Sequence, residues 1–258
     1  MSPHLDPQTP YVVQLLLPSE ATLDAPRLAE SLRRVEPTAR LLSQAPLTFA
    51  LGDEVATFAL QPGLAHPGEV EAALSQTWDW PDAERTTRAA RATLVLSLDG
   101  QPDRHAKLRR LHALIHAAAE QLAFSALHWL PSQRLVEPQR WRESVHHGAP
   151  PGDHAINVRL FKVPDGRPGE AILDTMGLTA LGLRDLQCHF AGLDLGAVAM
   201  LLLSYAEYLF EQGDVLGDTS LVRGLKSHEE WECHLERALA APDREVVDLR
   251  PGPAAILR

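Results

Sequence analysis

The chain has 258 residues, of which 45% are hydrophobic and 22% charged, a composition typical of a globular protein with one large or two modest domains. Its formal net charge of -10 leaves no basic stripe for a phosphate backbone, so nucleic acid is not an expected partner. The first residues show no signal pattern, and the longest apolar run, Ala197–Phe210, is shorter than the roughly 20 residues of a bilayer span. We therefore expect a cytoplasmic protein with no membrane span.

The first hundred residues show alternating strand and helix patterns. In chain order they predict a strand, a helix, two strands, a helix and a strand: Tyr11–Pro18, PRLAESLRRV behind the cap Asp24, LTFAL and VATFAL around Gly52-Asp53-Glu54, Glu69–Trp78, and Arg91–Leu98. This is the order of a ferredoxin-like βαββαβ unit, which we assign to residues 1–100.

Residues 101–258 are predicted to form an α+β half with an antiparallel sheet and helices. The predicted helices are Arg104–Phe124, PQRWRESV, an apolar helix from the cap Asp194 to Gln212 with Gly213 behind it, and SHEEWECHLERALA; the strands are ALHWLP, Ala155–Val163, Glu170–Leu178 and Arg184–Phe190. The Pro- and Gly-rich segment His146–His154 is the best candidate for a joint, and the tail Asp243–Arg258 is expected to pack loosely. The α+β chain is predicted to have two domains, 1–100 and 101–258, or to form one continuous domain.

Both cysteines are followed by histidine, in Cys188-His189 and Cys233-His234. Adjacent residues of a strand point to opposite faces, and adjacent residues of a helix diverge by about 100°. Neither pair therefore suits two ligands of one zinc ion, for which spaced cysteines are typical. We predict that Cys188 is a small buried residue in the core.

The same alternation aligns Asp185, Gln187 and His189 on the other face of their strand, and Arg159 lies on the polar face of AINVRLF. A carboxylate near the imidazole would hold one tautomer or raise its pKa, as acid–base catalysis requires. The alternative is a polar sheet face covered by solvent or by a helix. Together with Asp174 these residues form the candidate polar patch.

One helix also carries His112, His116 and Glu120 at four-residue spacing, which places them on one face. Zincin helices have glutamate directly after the first histidine, where this chain has Ala113. We predict that these side chains form a solvated stripe opposite the apolar face of the helix.

Three more histidines, His146, His147 and His154, lie in the Pro/Gly segment. A loop of this kind lacks the surrounding hydrogen bonds that hold metal ligands in place, so we predict no metal site here. The chain also lacks a P-loop, a Rossmann glycine motif and a G-x-S-x-G elbow. No cofactor is therefore expected.

The stretch DTMGLTALGLRDLQCHFAGLD, followed by the apolar helix and EQGDVLGD, resembles the bacterial family catalogued as domain of unknown function 4261. The family pattern D-T-x-G-L, then L-G-L-P-D-x-Q, matches this chain at Asp174, Thr175, Gly177, Leu178, Leu181, Gly182, Leu183, Asp185 and Gln187. Arg184 stands where the family usually has proline. The resemblance covers mainly Asp174–Asp218 and implies no particular activity.

Two hypotheses follow for the function. The first is a non-catalytic cytoplasmic module that binds another protein or a second copy of itself through the helix Leu195–Phe210, because no complete catalytic constellation is visible. The second is a small hydrolase or metal-assisted enzyme that uses Asp174, Asp185 and His189, with Arg159 holding an anionic group. The second requires these side chains to converge in a pocket.

Overall fold

A computed structural model describes residues 10–100, 103–147 and 152–256. The chain divides into two compact units between Ala155 and Ile156. This division directly follows the segment His146–His154, of which residues 148–151 lie outside the described residues. It differs from the predicted division after residue 100, because the helices and strands between residues 104 and 146 belong to the N-terminal unit.

A seven-stranded antiparallel sheet with five helices forms the described part of the N-terminal unit. In chain order its elements are β1 Tyr11–Leu17, α1 Ala25–Val35, β2 Arg40–Gln44, β3 Leu47–Leu51, β4 Glu54–Pro62, α2 Pro67–Leu74, α3 Ala83–Arg88, β5 Ala92–Asp99, α4 Arg104–Ala119, β6 Ala126–Trp129, β7 Arg134–Val136 and α5 Pro138–His146. The strands lie in the order β2-β3-β4-β5-β1-β6-β7. The mixture of helices and antiparallel strands agrees with the α+β prediction.

The ferredoxin-like arrangement of the first hundred residues is not confirmed. That arrangement would place β1 beside β4, whereas β4 pairs with β5 along its whole length, from Val55 opposite Asp99 to Pro62 opposite Ala92. The free side of β1 is taken by β6, a strand from beyond residue 100. The sheet therefore continues past β1 into β6 and β7, and the strands of the first hundred residues do not form a separate four-stranded sheet.

Helix α4 shows what the sequence predicts well and where it fails. Its predicted apolar face is buried, with Leu108, Leu111 and Ile115 all fully enclosed. The helix ends at Ala119, five residues before the predicted end. Beyond the helix, the backbone N–H of Ser125 donates to a carbonyl of β1. Strand β6 begins at the next residue.

The C-terminal unit is a six-stranded mixed sheet with one long helix. Its elements are β8 Asn157–Lys162, β9 Glu170–Met176, β10 Asp185–Ala191, α6 Leu195–Gln212, β11 Leu221–Arg223, β12 Glu230–Arg237 and β13 Glu245–Arg250. The strands lie in the order β11-β12-β13-β10-β9-β8. The predicted antiparallel pairing of β8, β9 and β10 is confirmed, while β10 and β13 are parallel.

Helix α6 begins and ends where the sequence predicts. The Asp194 carboxylate accepts a hydrogen bond from the backbone N–H of Ala197 at 2.8 Å, and Gly213 ends the helix with φ of +93°. The helix packs on β8, β9 and β10 through a buried stripe that includes Val198, Leu202 and Leu209. Only one side of this apolar helix is therefore buried within the chain.

Two predictions for residues 227–258 are wrong in whole or in part. The segment SHEEWECHLERALA is not helical; most of it forms strand β12, in which Trp231 and Cys233 are buried in alternation with exposed glutamates. The first half of the tail is not loosely packed, because β13 lies inside the sheet and Val246, Val247 and Leu249 are completely buried. Pairing with neighbouring strands on both sides outweighs the local helical preference of β12.

Within the described residues, no helix combines the length and the apolar character needed to cross a bilayer. The first nine residues, on which the prediction of no signal pattern depends, lie outside the described part of the chain.

Candidate functional site

A single row of polar side chains crosses the sheet of the C-terminal unit. Cross-strand register places Arg159 opposite Asp174, Asp174 opposite Gln187, Gln187 beside Asp248, and Asp248 opposite His234. Directly opposed residues share a sheet face, so all five lie on one face. Three of the five residues of the predicted patch belong to this row.

Asp174 is held by two arginines at the end of this row. Arg159 binds it with two parallel hydrogen bonds, from Nε to Oδ1 at 2.9 Å and from Nη2 to Oδ2 at 2.6 Å. Arg244, from the start of β13, donates from Nη2 to the same Oδ2 at 2.8 Å. Asp174 is fully buried and both arginines are nearly so. Bidentate arginine–carboxylate contacts of this kind are among the stronger hydrogen bonds in proteins.

Asp185 is the second fully buried carboxylate and accepts four hydrogen bonds. Its Oδ1 accepts from the Thr175 hydroxyl at 3.2 Å and from the backbone N–H of Leu178 at 3.1 Å, and its Oδ2 accepts from the Thr179 hydroxyl at 2.7 Å. The fourth donor is Nε of Arg244, at 3.2 Å from Oδ2. Burial raises the pKa of Asp185, and the nearby Arg244 guanidinium opposes that rise.

Arg244 links the two carboxylates and also fixes the loop between β12 and β13. Its Nη1 donates to the carbonyls of Ala240 and Pro242, at 3.3 and 3.0 Å, and Arg159 donates from Nη1 to the carbonyl of Ala241 at 2.9 Å. Two aspartates and two arginines therefore form a neutral buried quartet. The remaining N–H groups of the two arginines hold the backbone of this loop against the polar face of the sheet.

Gln187 fixes the same loop from the middle of the row. Its amide oxygen accepts from the backbone N–H of Leu239 at 2.7 Å, and its amide nitrogen donates to Asp248 at 3.2 Å. Asp248 also accepts from Arg250 at 3.3 Å, and burial raises the pKa of this carboxyl group. Gln187 thus has a partner within the unit at each end of its amide.

His189 is separated from the quartet and pairs with Glu170. Its Nε2 lies 2.8 Å from Oε1 of Glu170, while Nδ1 has no hydrogen-bond partner within the described residues. The pKa of Glu170 is lowered, first by the hydrogen bond that its carboxylate accepts from the backbone N–H of Arg167. The hydrogen bond to His189 is the second cause. The carboxylate expected beside this imidazole is therefore Glu170 and not Asp185.

The structure thus brings together Arg159, Asp174 and Asp185, and places Gln187 next to them under the same loop. Sequence reasoning did not single out Arg244, Asp248 or Glu170. Arg244 and Asp248 were missed because they fall in the tail that was expected to pack loosely. The alternation of apolar and polar residues over Val247-Asp248-Leu249-Arg250, preceded by a second valine, is the signal that would have identified this strand.

Both cysteines lie on the opposite, apolar face of the sheet, as predicted for Cys188. The register of Gln187 with Asp248 places Cys188 beside Leu249, and Leu249 pairs with Cys233. Both thiols are free and completely buried. Burial raises the pKa of Cys233 to about 11 and that of Cys188 well above its usual range.

Two members of the predicted His112, His116 and Glu120 stripe contact other side chains of this chain. His112 accepts a hydrogen bond from the Trp141 indole at 3.3 Å and stacks on that ring, and Glu120 accepts from the Ser31 hydroxyl at 2.5 Å. Within residues 10–100, 103–147 and 152–256, no group of three or more His, Cys, Asp or Glu side chains has a geometry that could hold a metal ion.

The C-terminal unit is therefore a mixed sheet with an apolar face under α6 and a polar face built around a buried ionic quartet. A family model described as a domain of unknown function, DUF4261, matches residues 174–250. This confirms the resemblance found in the sequence and extends it to the end of β13, so that it includes Arg244 and Asp248. No curated protein and no solved structure matches the chain.

Proposed function

We propose that this protein is a non-catalytic, cytoplasmic protein-binding module, in which Asp174, Asp185 and Gln187 of the family pattern organise the C-terminal unit. The supporting observation is the saturation of Asp174 and Asp185, whose four carboxylate oxygens each accept at least one hydrogen bond inside the unit. A general base needs a lone pair directed at its substrate. Carboxylates that are buried and fully bonded favour a structural role instead.

An enzyme is the second candidate, and the pairing of His189 with Glu170 is what favours it. A carboxylate on one ring nitrogen is part of the arrangement of a histidine general base, although Nδ1, the second ring nitrogen of His189, is itself buried. The hydrolase hypothesis, however, also assigns roles to Asp174 and Asp185, and these are bonded to arginine. A screen of ester and phosphoester substrates tests it: hydrolysis that is lost in His189→Gln would replace our proposal with an enzymatic one.

The proposed binding surface is the outer side of α6. This side exposes Met200 by 62% and Tyr208 by 48%. Large exposed apolar side chains on one helix face are typical of a protein interface. We propose that a second copy of the chain binds here and forms a homodimer.

Sedimentation velocity of the purified protein at micromolar concentration tests this surface. We expect a species of twice 28.3 kDa and expect Met200→Glu to convert it to the monomer, because a charge placed in an apolar interface cannot be solvated. The matched control is Val145→Glu, an exposed apolar residue of α5, which should leave the dimer intact. A wild-type protein that remains monomeric would overturn the homodimer.

A further inference from the structure

Lysine is rare in this chain, which has three lysines among its 24 Lys and Arg residues. Lys162 and Lys226 are exposed, and Lys226 pairs with Glu229 at 3.1 Å. Lys107 on α4 is different, because it is only 9% exposed. Lysine is almost never buried in a protein unless a charged partner accompanies it. The position of Lys107 therefore needs a physical explanation.

The amine of Lys107 has no such partner. It forms no hydrogen bond and no ion pair with any residue that the structure describes. The carboxylate whose charge acts on it, Glu54 at the start of β4, is itself 3% exposed and accepts at Oε2 from Arg110. The second oxygen, Oε1, is buried and lacks a hydrogen-bond partner among the described residues. Arg110 also donates to Glu36 at 3.4 Å, so Arg110 and not Lys107 is the cation that these two carboxylates bind.

The surroundings of Lys107 favour the uncharged form of the amine. Burial lowers the pKa of Lys107, and the charge of Glu54 opposes that change. Lys107 is also the fourth residue of α4, and the partial positive charge at a helix N-terminus disfavours a cation in this turn. Gly100 packs closely on Glu54, where an added Cβ would lie 2.7 Å from Cγ, and leaves Glu54 little room to turn toward the amine. An uncharged lysine amine is a nucleophile.

We propose that Lys107 is a reactive amine that binds a small neutral aldehyde reversibly as an imine. The low exposure of Lys107 restricts the ligand in size. The carboxylates of Glu36 and Glu54 outnumber the guanidinium of Arg110, which disfavours an anionic ligand. The lone pair of Nζ attacks the carbonyl carbon, and the carbinolamine then loses water, so that amine and aldehyde give imine and water without oxidation or reduction. This site lies in the N-terminal unit and is independent of the proposed protein-binding surface.

The test treats the full-length protein at pH 7 with propanal and sodium cyanoborohydride, which reduces an imine to a stable propyl amine. Peptide mapping by mass spectrometry measures the rate at each lysine, so Lys162 and Lys226 are controls within the same molecule. We expect Lys107 to be modified at least about fivefold faster than either, because an ordinary lysine is almost fully protonated at this pH. In urea the three rates should become equal, because the difference comes from the folded surroundings.

The pH dependence of the same labelling tests the influence of Glu54. Glu54→Gln should move the midpoint for Lys107 to lower pH, because it removes the negative charge that favours the ammonium form. The control Glu69→Gln, at an exposed position of α2, should leave this midpoint unchanged. Lys107→Met should remove the fast label and keep the unfolding midpoint, since the amine has no partner to lose. A rate at Lys107 no higher than at Lys226 in the folded protein, or a midpoint equal to that of the exposed lysines, would each overturn the proposal.

Discussion

Arg159 and Asp174 face each other across β8 and β9 with their planar groups side by side, joined by hydrogen bonds of 2.9 and 2.6 Å. The pair is 3% and 0% exposed, so both charges have been removed from water. Such a pair stabilises a protein only when its remaining hydrogen-bonding atoms also have partners. Here Arg244 and the carbonyl of Ala241 supply those partners, and the pair is therefore one part of a complete network.

Asp185→Asn is expected to destabilise the C-terminal unit by about 3 to 5 kcal/mol. Asparagine would place an N–H₂ group among donors, including the Thr179 hydroxyl and Arg244, and would leave the guanidinium with less buried negative charge to balance it. Urea unfolding measures the loss. The control is Asp165→Asn in the exposed turn after β8, where φ is +57° and asparagine is tolerated. Equal losses for the two variants would contradict the assigned role.

Arg244→Lys is expected to release the loop between β12 and β13. The planar guanidinium of Arg244 contacts two carboxylates and two carbonyls of the loop at once. Lysine has a single charged nitrogen and cannot make all these contacts. Limited proteolysis should therefore cut residues 238–243 at least several times faster than in the wild type. Arg237→Lys, in the exposed ion pair with Asp243, is the matched control. No change in cleavage rate for Arg244→Lys would show that the loop is held by other contacts.

The N-terminal unit is expected to lose stability in mild acid because of His128 and His154. Both are buried, and burial lowers the pKa of each from 6.5 to about 4. The unfolded chain therefore binds more protons between pH 6.5 and pH 4, so stability is complete above pH 6.5 and is lost as the pH falls toward 4. Each unit of pKa difference corresponds to about 1.4 kcal/mol.

Unfolding midpoints at pH 7 and pH 5 measure this effect. His128→Leu should reduce the difference between the two midpoints, because it removes one of the two titrating groups. His116→Gln, at a 62% exposed position on α4, should leave the difference unchanged. A wild-type midpoint that is the same at both pH values would refute the assignment.

The two thiols are expected to be unreactive in the native protein and unable to pair. Strand β13 separates Cys188 from Cys233, which places their Cα atoms two strand spacings apart, about 9 to 10 Å. A disulfide needs about 4.4 to 6.8 Å. Titration with an aromatic disulfide reagent should find two thiols in urea and almost none in buffer. An intramolecular disulfide formed by mild oxidation would contradict this arrangement.

The sheet face on which each strand-β10 residue of the candidate site lies was predictable from the sequence. The hydrogen-bonding partners of these residues were not. Strand alternation is enough to place Asp185, Gln187 and His189 on one side and Cys188 on the other. The identity of each contact depends on pairing between segments far apart in sequence. Arg244 reaches Asp174 across 70 positions, and nothing local to either residue indicates that contact.

The same distinction applies to the fold. The starts of α1 and α6 were predictable because a capping aspartate acts on its own first turn. Strand order was not, because β1 has antiparallel partners on both sides and the sequence does not say that β6 occupies one of them. Strand β12 was mistaken for a helix since its glutamates and Leu235 favour a helix locally, while its pairing with β11 and β13 decides the outcome.

The most direct test of a structural role for the buried quartet is a double-mutant cycle on Arg159 and Asp174. The variants Arg159→Met, Asp174→Leu and the double variant are compared by their free energies of unfolding. Our account predicts that each single change is costly, because it leaves a buried charge without its partner, and that the double variant recovers much of the loss, with a coupling energy of about 2 kcal/mol or more. Losses that simply add would contradict it.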